Sequence, residues 1–318
     1  MKTFLLTVLA LLTIALNVVC GSVAIPLGEL ADSRWSYILW QVRLPQALTA
    51  VLTGASLSAC GLLLQTYFRN PLAGPSILGI TSGAHLAVAL LTLGAATLGL
   101  STATELTGMR SLAALAGAGT VIWALLVIGR HVRQQTTLLI VGIMISYLAS
   151  SMITLLSYQA TAHGVQQLLV WGMGDFGSVG SQHIVLYSLL NIIGLSGAFL
   201  LIKPMNAWML GEKYAMNSGL NLARTRWMLL AVTGLLSAVT TAWCGPIAFV
   251  GLTMSHVSRW IFHTDDHRVL LPATMSLGAL TCGLCLWLST RPDGTLLPLN
   301  ALTSMIGIPI ILIVLIRK

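Results

Sequence analysis

The sequence predicts an all-α membrane protein with about ten transmembrane helices. Three observations lead there. The 318 residues are 56% hydrophobic and only 8% charged, whereas a soluble domain carries roughly 25% charged residues to cover its surface. Mean hydropathy is +0.90. Ten apolar runs approach the length of about 20 residues that a bilayer crossing needs: 3–24, 44–67, 78–98, 109–129, 138–158, 183–202, 227–244, 247–262, 269–289 and 301–316. The eighth is short and rests on the need to return to the inner side. The whole chain, 1–318, reads as one transmembrane domain.

Charge placement tests the count. With the N-terminus inside, the inner side holds Lys2, Arg69, Arg130, Arg133, Lys203, Lys213, Arg224, Arg226, Arg259, Arg268, Arg317 and Lys318. The outer side holds Arg34, Arg43, Arg110 and Arg291. Twelve against four is the bias expected of cytoplasmic loops, so both termini are expected inside. The net charge of +8 then reflects inner loops and not a nucleic-acid surface. Cys20, Cys60, Cys244, Cys282 and Cys285 are scattered in apolar runs and read as small core residues, with no disulfide framework.

The first run, after Met1 and Lys2, resembles a signal peptide. Asn17-Val18-Val19 before Cys20 lacks the small residue that processing wants, so it reads as an uncleaved span. Trp35, Tyr37 and Trp40 then suit the membrane–water boundary. Arg43-Leu44-Pro45-Gln46 opens span two, where Pro45 fits a first helical turn. Arg43 is placed at the outer mouth, as a lipid-headgroup anchor or as something more specific.

Span two is rich in small residues: Gly54, Ala55, Ser56, Ser58, Ala59 and Gly61. Such residues let helix backbones approach closely, so this helix is expected to be buried among others. It runs into 69–87, RNPLAGPSILGITSGAHLA, where Pro71 and Pro75 break the helix and Gly74, Gly79 and Gly83 give a flexible re-entry. Irregular backbone near a membrane is tolerated where protein covers it or where it lines a cavity. His85 reads as a hydrogen-bonded packing residue rather than a ligand.

Residues 130–137 form a short basic inner loop. The outer segment 159–182 has no Lys or Arg and reads as an interfacial helix followed by a glycine-rich turn. Between spans six and seven lies a hydrophilic island, 211–226, GEKYAMNSGLNLARTR. It holds Glu212, Lys213, Arg224 and Arg226, and 212–217 has good helix formers. Gly219 interrupts the pattern, and 220–226 is expected to form a second short turn of helix. On residues alone the island is a solvated loop or a docking platform for a soluble partner.

Cys244-Gly245-Pro246 turns the chain at the outer side. The stretch 263–268, HTDDHR, reads as a solvated turn rather than a metal site. Cys282 and Cys285 lack the further ligands that zinc would need. Span ten carries Asn300, Gly307 and Pro309, so its backbone is expected to be irregular. There is no phosphate-binding G-x-x-x-x-G-K-[ST] motif, so ATP is not expected to bind here. No acid sits in the middle of a span, which disfavours an ion-coupled secondary carrier. No nucleophile–base pair points to an intramembrane enzyme, and no soluble domain points to a scaffold.

Several motifs nevertheless coincide. RLPQ, then GASLSACGLLLQTYFRNPLAGPSILGITSGA, LLVWGMGDFGSVG, LGEKYAMNSGLNLARTR and CGPIAFVGLTMSHVSRWIFHTDDHRVLLPA occur in this order from about Trp40 onward. Together they resemble the permease family of type II ABC importers, which moves iron(III)-siderophores, haem and vitamin B12. The resemblance implies a vitamin B12 importer permease-like fold in the bacterial cytoplasmic membrane. It implies a homodimer or pseudo-dimer of permeases, two separate ATPase subunits that hydrolyse the ATP, and a periplasmic substrate-binding protein. It implies no cofactor or metal held by this chain.

It also assigns roles. The coupling segment would include Gly211, Glu212, Ala215, Gly219 and Leu220. Asn70, Leu72, Gln135 and Thr136 match the inner gate. Arg43 would receive an acidic residue of the binding protein, with Arg291 as the second docking cation because Gln46 stands where relatives often have Arg. Asn300, where relatives often have Gly, would place a polar group in the pathway. Ser255-His256 replaces a common Pro-His, which would straighten span eight. The leading cargo is an iron(III) siderophore, with vitamin B12 or haem as the rival.

Overall fold

The computed structural model describes residues 2–21, 33–97, 105–132, 134–290 and 297–316. Among them every regular element is a helix. Those that cross the apolar layer are α1 (Lys2–Val19), α3 (Leu44–Phe68), α4 (Ile80–Thr97), α5 (Glu105–His131), α6 (Gln135–Gln159), α8 (Gly180–Leu200), α11 (Leu222–Cys244), α12 (Val250–Phe262), α13 (His267–Ser289) and α14 (Leu299–Ile316). Short helices decorate the ends: α2 (Ser33–Tyr37), α7 (Ala162–Gly172), α9 (Ile202–Met209) and α10 (Glu212–Asn217). Seven of the crossings are long and apolar enough to span by themselves, α4 and α14 are shorter apolar helices, and α12 has 13 residues. Helices occupy all ten expected spans, and the end of the bundle where Arg69 meets α9 and Arg226 meets the end of α5 is called the inner face below.

Boundaries differ in instructive places. The first span stops at Val19 instead of running to 24. Arg43 Nη1 donates to the carbonyls of Val18 and Val19, at 3.0 and 2.9 Å. A basic side chain thus takes over carbonyls left open at the end of α1. Pro45 sits in the first turn of α3, but α3 does not begin abruptly: a π-helical stretch, Ile38–Arg43, leads into it from α2. The irregularity expected of span ten is absent. α14 is continuous through Gly307 and Pro309, and the missing side chain at Gly307 admits the Cβ of Phe249.

α3 is the centre of the bundle, packed by α1, α8, α11, α12 and α13. Small residues make this possible. A Cβ on Gly54 would overlap the Gly278 carbonyl of α13, and one on Gly61 would overlap the Gly251 carbonyl of α12. Backbones meet at these crossings, as the small-residue stripe requires. Hydroxyls in the core return their protons to the preceding turn: Thr49 donates to Pro45 O and Thr53 to Thr49 O, both at 2.7 Å. These two buried hydroxyls are thereby satisfied inside an apolar medium.

Candidate coupling and gate site

The inner face is built on α9 and α10. Trp208 closes α9 and is fully buried. Its ring lies 5.0 Å from that of Tyr67, and its Nε1 donates to Tyr67 O at 3.3 Å. Arg69, in the left-handed C-cap of α3, donates from Nη2 to Trp208 O at 3.0 Å. The chain then turns at Gly211, whose φ of 119° lies where L side chains rarely go.

α10 follows with Ala215 buried beneath it. It closes on Gly219, φ 84°. Gly219 N donates to Met216 O at 2.9 Å and Leu220 N to Ala215 O at 3.0 Å, the paired bonds of a Schellman turn. The second short turn expected at 220–226 does not exist as a separate helix. Asn221 Oδ1 accepts from Arg224 N at 3.0 Å and so caps α11, which starts at Leu222 and continues through the membrane. Arg226 is part of that helix and donates to Gly129 O and Val132 O at the end of α5.

The segments expected to form the inner gate flank this platform. Leu72 N donates to Asn70 Oδ1 at 2.9 Å, and Ala73 N to Asn70 O at 3.1 Å, so Asn70 shapes the turn that leaves Leu72 exposed. The loop then rises into the bundle. A Cβ on Gly142 would stand 2.7 Å from Ile77 O, so the loop packs on α6 about two turns above its start. Gln135 and Thr136 open α6. Gln135 Nε2 donates to Glu212 Oε1 at 2.6 Å, which brings a residue expected in the inner gate into contact with one expected in the coupling segment.

Sequence reasoning missed a polar cluster behind the gate. Ser255 Oγ and Arg259 Nη1 both donate to Gln65 Oε1, at 2.7 and 2.9 Å. Gln65 Nε2 donates to Leu252 O at 3.1 Å. Arg259 Nε pairs with Asp265 at 3.2 Å, and His256 Nε2 donates to Pro71 O at 2.8 Å. α12 is unbroken through Ser255, as its replacement of Pro implies. These groups line a cavity of about 760 Å³ whose apolar wall includes Ile310, Ile313 and Val314. The available signal was polar residues inside apolar runs, Gln65 on span two and His256 and Arg259 on span eight.

The HTDDHR residues are dispersed. His267 is buried between Thr66 Oγ1 and Asn206 Oδ1, both at 2.8 Å. Asp266 caps α13, and its carboxyl sits below the usual range because it accepts from the Arg268 amide and then from Asn206. Asp265 is taken by Arg259.

At the outer face, Arg43 is only 6% exposed and turned inward onto α1. Arg291 lies outside the described residues. Asn300 opens α14, with its N–H on Met173 O at 3.0 Å and its Oδ1 accepting from Ala248 N at 3.1 Å. It therefore pins three segments together, and it also lines a cavity of about 570 Å³ with His85, Ser157, Gly172 and Ser304. His85 stacks against Trp171 with ring centroids 5.5 Å apart. Its Nε2 is buried without a hydrogen-bond partner, so the hydrogen-bonded packing role expected for it is met only as packing.

Comparison with known proteins follows this geometry. Residues 5–317 match the FecCD transport family. The chain is 34% identical, over 99% of its length and 93% of the relative's, to a vitamin B12 import system permease protein BtuC of Klebsiella pneumoniae. It is 35% identical, over 98% and 93%, to the protein of that name from Salmonella arizonae. A solved inward-facing structure described as a metal-chelate type ABC transporter superposes with a TM-score of 0.88 at 27% identity, covering 100% of this chain and 99% of that one. The helical fold is thus that of a type II ABC importer permease, and the chain belongs to the FecCD transport family.

Proposed function

We propose that this permease passes a large metal chelate between two permease subunits, driven by a separate ATPase seated on the α9–α10 platform. The family resemblance led with an iron(III) siderophore, and the residues themselves do not select among chelates. The relatives at 34% and 35% identity, matched over nearly the whole chain, bear the name of vitamin B12 permeases, and this supports vitamin B12 as the first reading with the ferric siderophore as the second. The metal-chelate type of the structural neighbour keeps the second reading in view. The cavity shared by Asn300, His85, Ser157 and Ser304 fits a passage with few polar groups, which suits a bulky cargo that must leave as readily as it enters.

In this reading Glu212, Ala215 and the turn at Gly211 and Gly219–Leu220 receive the ATPase. Asn70, Leu72, Gln135 and Thr136 close the inner end. Docking of a binding protein involves Arg291 more than Arg43, whose guanidinium already serves α1. The deciding measurement is uptake of labelled cobalamin, haem and ferric chelates in cells with and without the chain. Loss of cobalamin uptake supports the first cargo, and loss of ferric-chelate uptake alone promotes the second. Uptake of all of them unchanged on deletion refutes the cargo class.

A further inference from the structure

The platform is attached to the rest of the bundle in two different ways. Toward α3 the attachment is buried: Trp208 stacks on Tyr67, and Arg69 holds the Trp208 carbonyl. Both rings are fully inside, so displacing α9 would open a cavity at substantial cost. Toward α6 the attachment is the exposed bond from Gln135 Nε2 to Glu212 Oε1. It joins the first residue of one helix to the first residue of another. Between the two attachments stands Gly211 at φ 119°, so α9 and α10 meet at a joint free of side-chain restraint.

A hydrogen bond to a carboxylate is directional and stronger than a neutral one. At the surface it breaks and reforms without leaving a void. We propose that Gln135 is a positioning residue: its bond to Glu212 carries displacement of α10 to the α6 segment of the inner gate. Arg69 meanwhile ties the Asn70–Leu72 segment to α9. The inference rests on the coupling role given to α10 above. It adds that the two gate segments are driven through separate contacts.

The test needs no identified cargo. Inside-out membrane vesicles carry the full chain with its own ATPase subunits. A membrane-impermeant maleimide labels Thr136→Cys or, separately, Leu72→Cys, with and without Mg-ATP. Both positions are exposed, whereas Cys60, Cys244, Cys282 and Cys285 are buried; Cys20, exposed just past the end of α1, is replaced by Ser in every variant. We expect ATP to change labelling at both reporters. Q135E, which sets two carboxylates against each other, abolishes the change at position 136 and keeps it at 72. The double variant Q135E/E212Q again pairs one amide with one carboxylate, donor and acceptor exchanged, and restores the response at 136.

A retained response at 136 in Q135E overturns the inference. So does a double variant that stays silent at both reporters like E212Q alone, because Glu212 would then act only toward the ATPase. An ATP response at 72 alone in the parent chain also overturns it and leaves the coupling role standing. A parent chain in which neither reporter responds removes the coupling role itself.

Discussion

α3 and α6 are both apolar helices of 25 residues that cross the layer, yet they live in different surroundings. In the most apolar stretch of the α3 span 83% of positions are buried, against 22% in α6. Hydropathy does not separate them. Side-chain size does: α3 offers Gly54, Ser58 and Gly61 to its neighbours, whereas α6 presents Ile140, Met144, Tyr147 and Leu148 outward. In a bilayer, where lipid is as apolar as leucine, close backbone approach decides which helix becomes central. The large outward residues of α6 are left for lipid or for another subunit.

The comparison breaks first at Gly61. Gly61→Leu forces a side chain into the Gly251 carbonyl, with an expected loss near the upper end of overpacking costs, about 3 kcal/mol. Folded protein in fluorescence-detected size exclusion should collapse. Next comes Gln65→Leu, which strips Ser255 and Arg259 of a shared acceptor inside the protein. Hydrogen bonds to charged groups are worth about 1.5–3 kcal/mol, and a thermal-shift assay should report a clear fall in Tm.

Arg43→Ala should cost somewhat less, about 1.5–2 kcal/mol, because the α1 carbonyls it releases lie near water. Its readout is loosening of α1 in hydrogen exchange at 15–19. Weaker docking of a binding protein with exchange at 15–19 unchanged would return Arg43 to the outer mouth. The smallest effect belongs to α6. Ser150→Leu adds bulk to an exposed position, so Tm should move by no more than about 0.5 kcal/mol equivalent. A drop as large as that of Gly61→Leu would show that α6 is as central as α3.

Much of this architecture was legible beforehand. Ten apolar runs and a twelve-to-four charge bias are properties of composition along the chain, and the bilayer enforces them. The interfacial helix at 162–172 and the turn at 177–179 were readable for the same reason. The expected gate and coupling roles came only from the family resemblance, residue by residue, and await the uptake and labelling experiments above. The connections between these residues could not be read that way. Gln135 and Glu212 are 77 positions apart, and nothing local records that they touch. That the Arg43 guanidinium folds back onto α1 could not be read beforehand, because position along a span does not reveal which way a long side chain turns. The second short turn expected at 220–226 merged into α11 because the helix that Asn221 caps runs on unbroken to Cys244. Span ten stayed one continuous helix despite Gly307 and Pro309, and Gly307 there packs against Phe249.

One detail at the base of the gate loop carries a mechanical consequence. Arg69 holds φ 48° and ψ 34°, a left-handed geometry that costs an ordinary residue about 1–3 kcal/mol. Its guanidinium rests on a carbonyl contributed by a different helix, α9. The residue that turns the chain out of α3 is therefore also the one that ties that turn to α9.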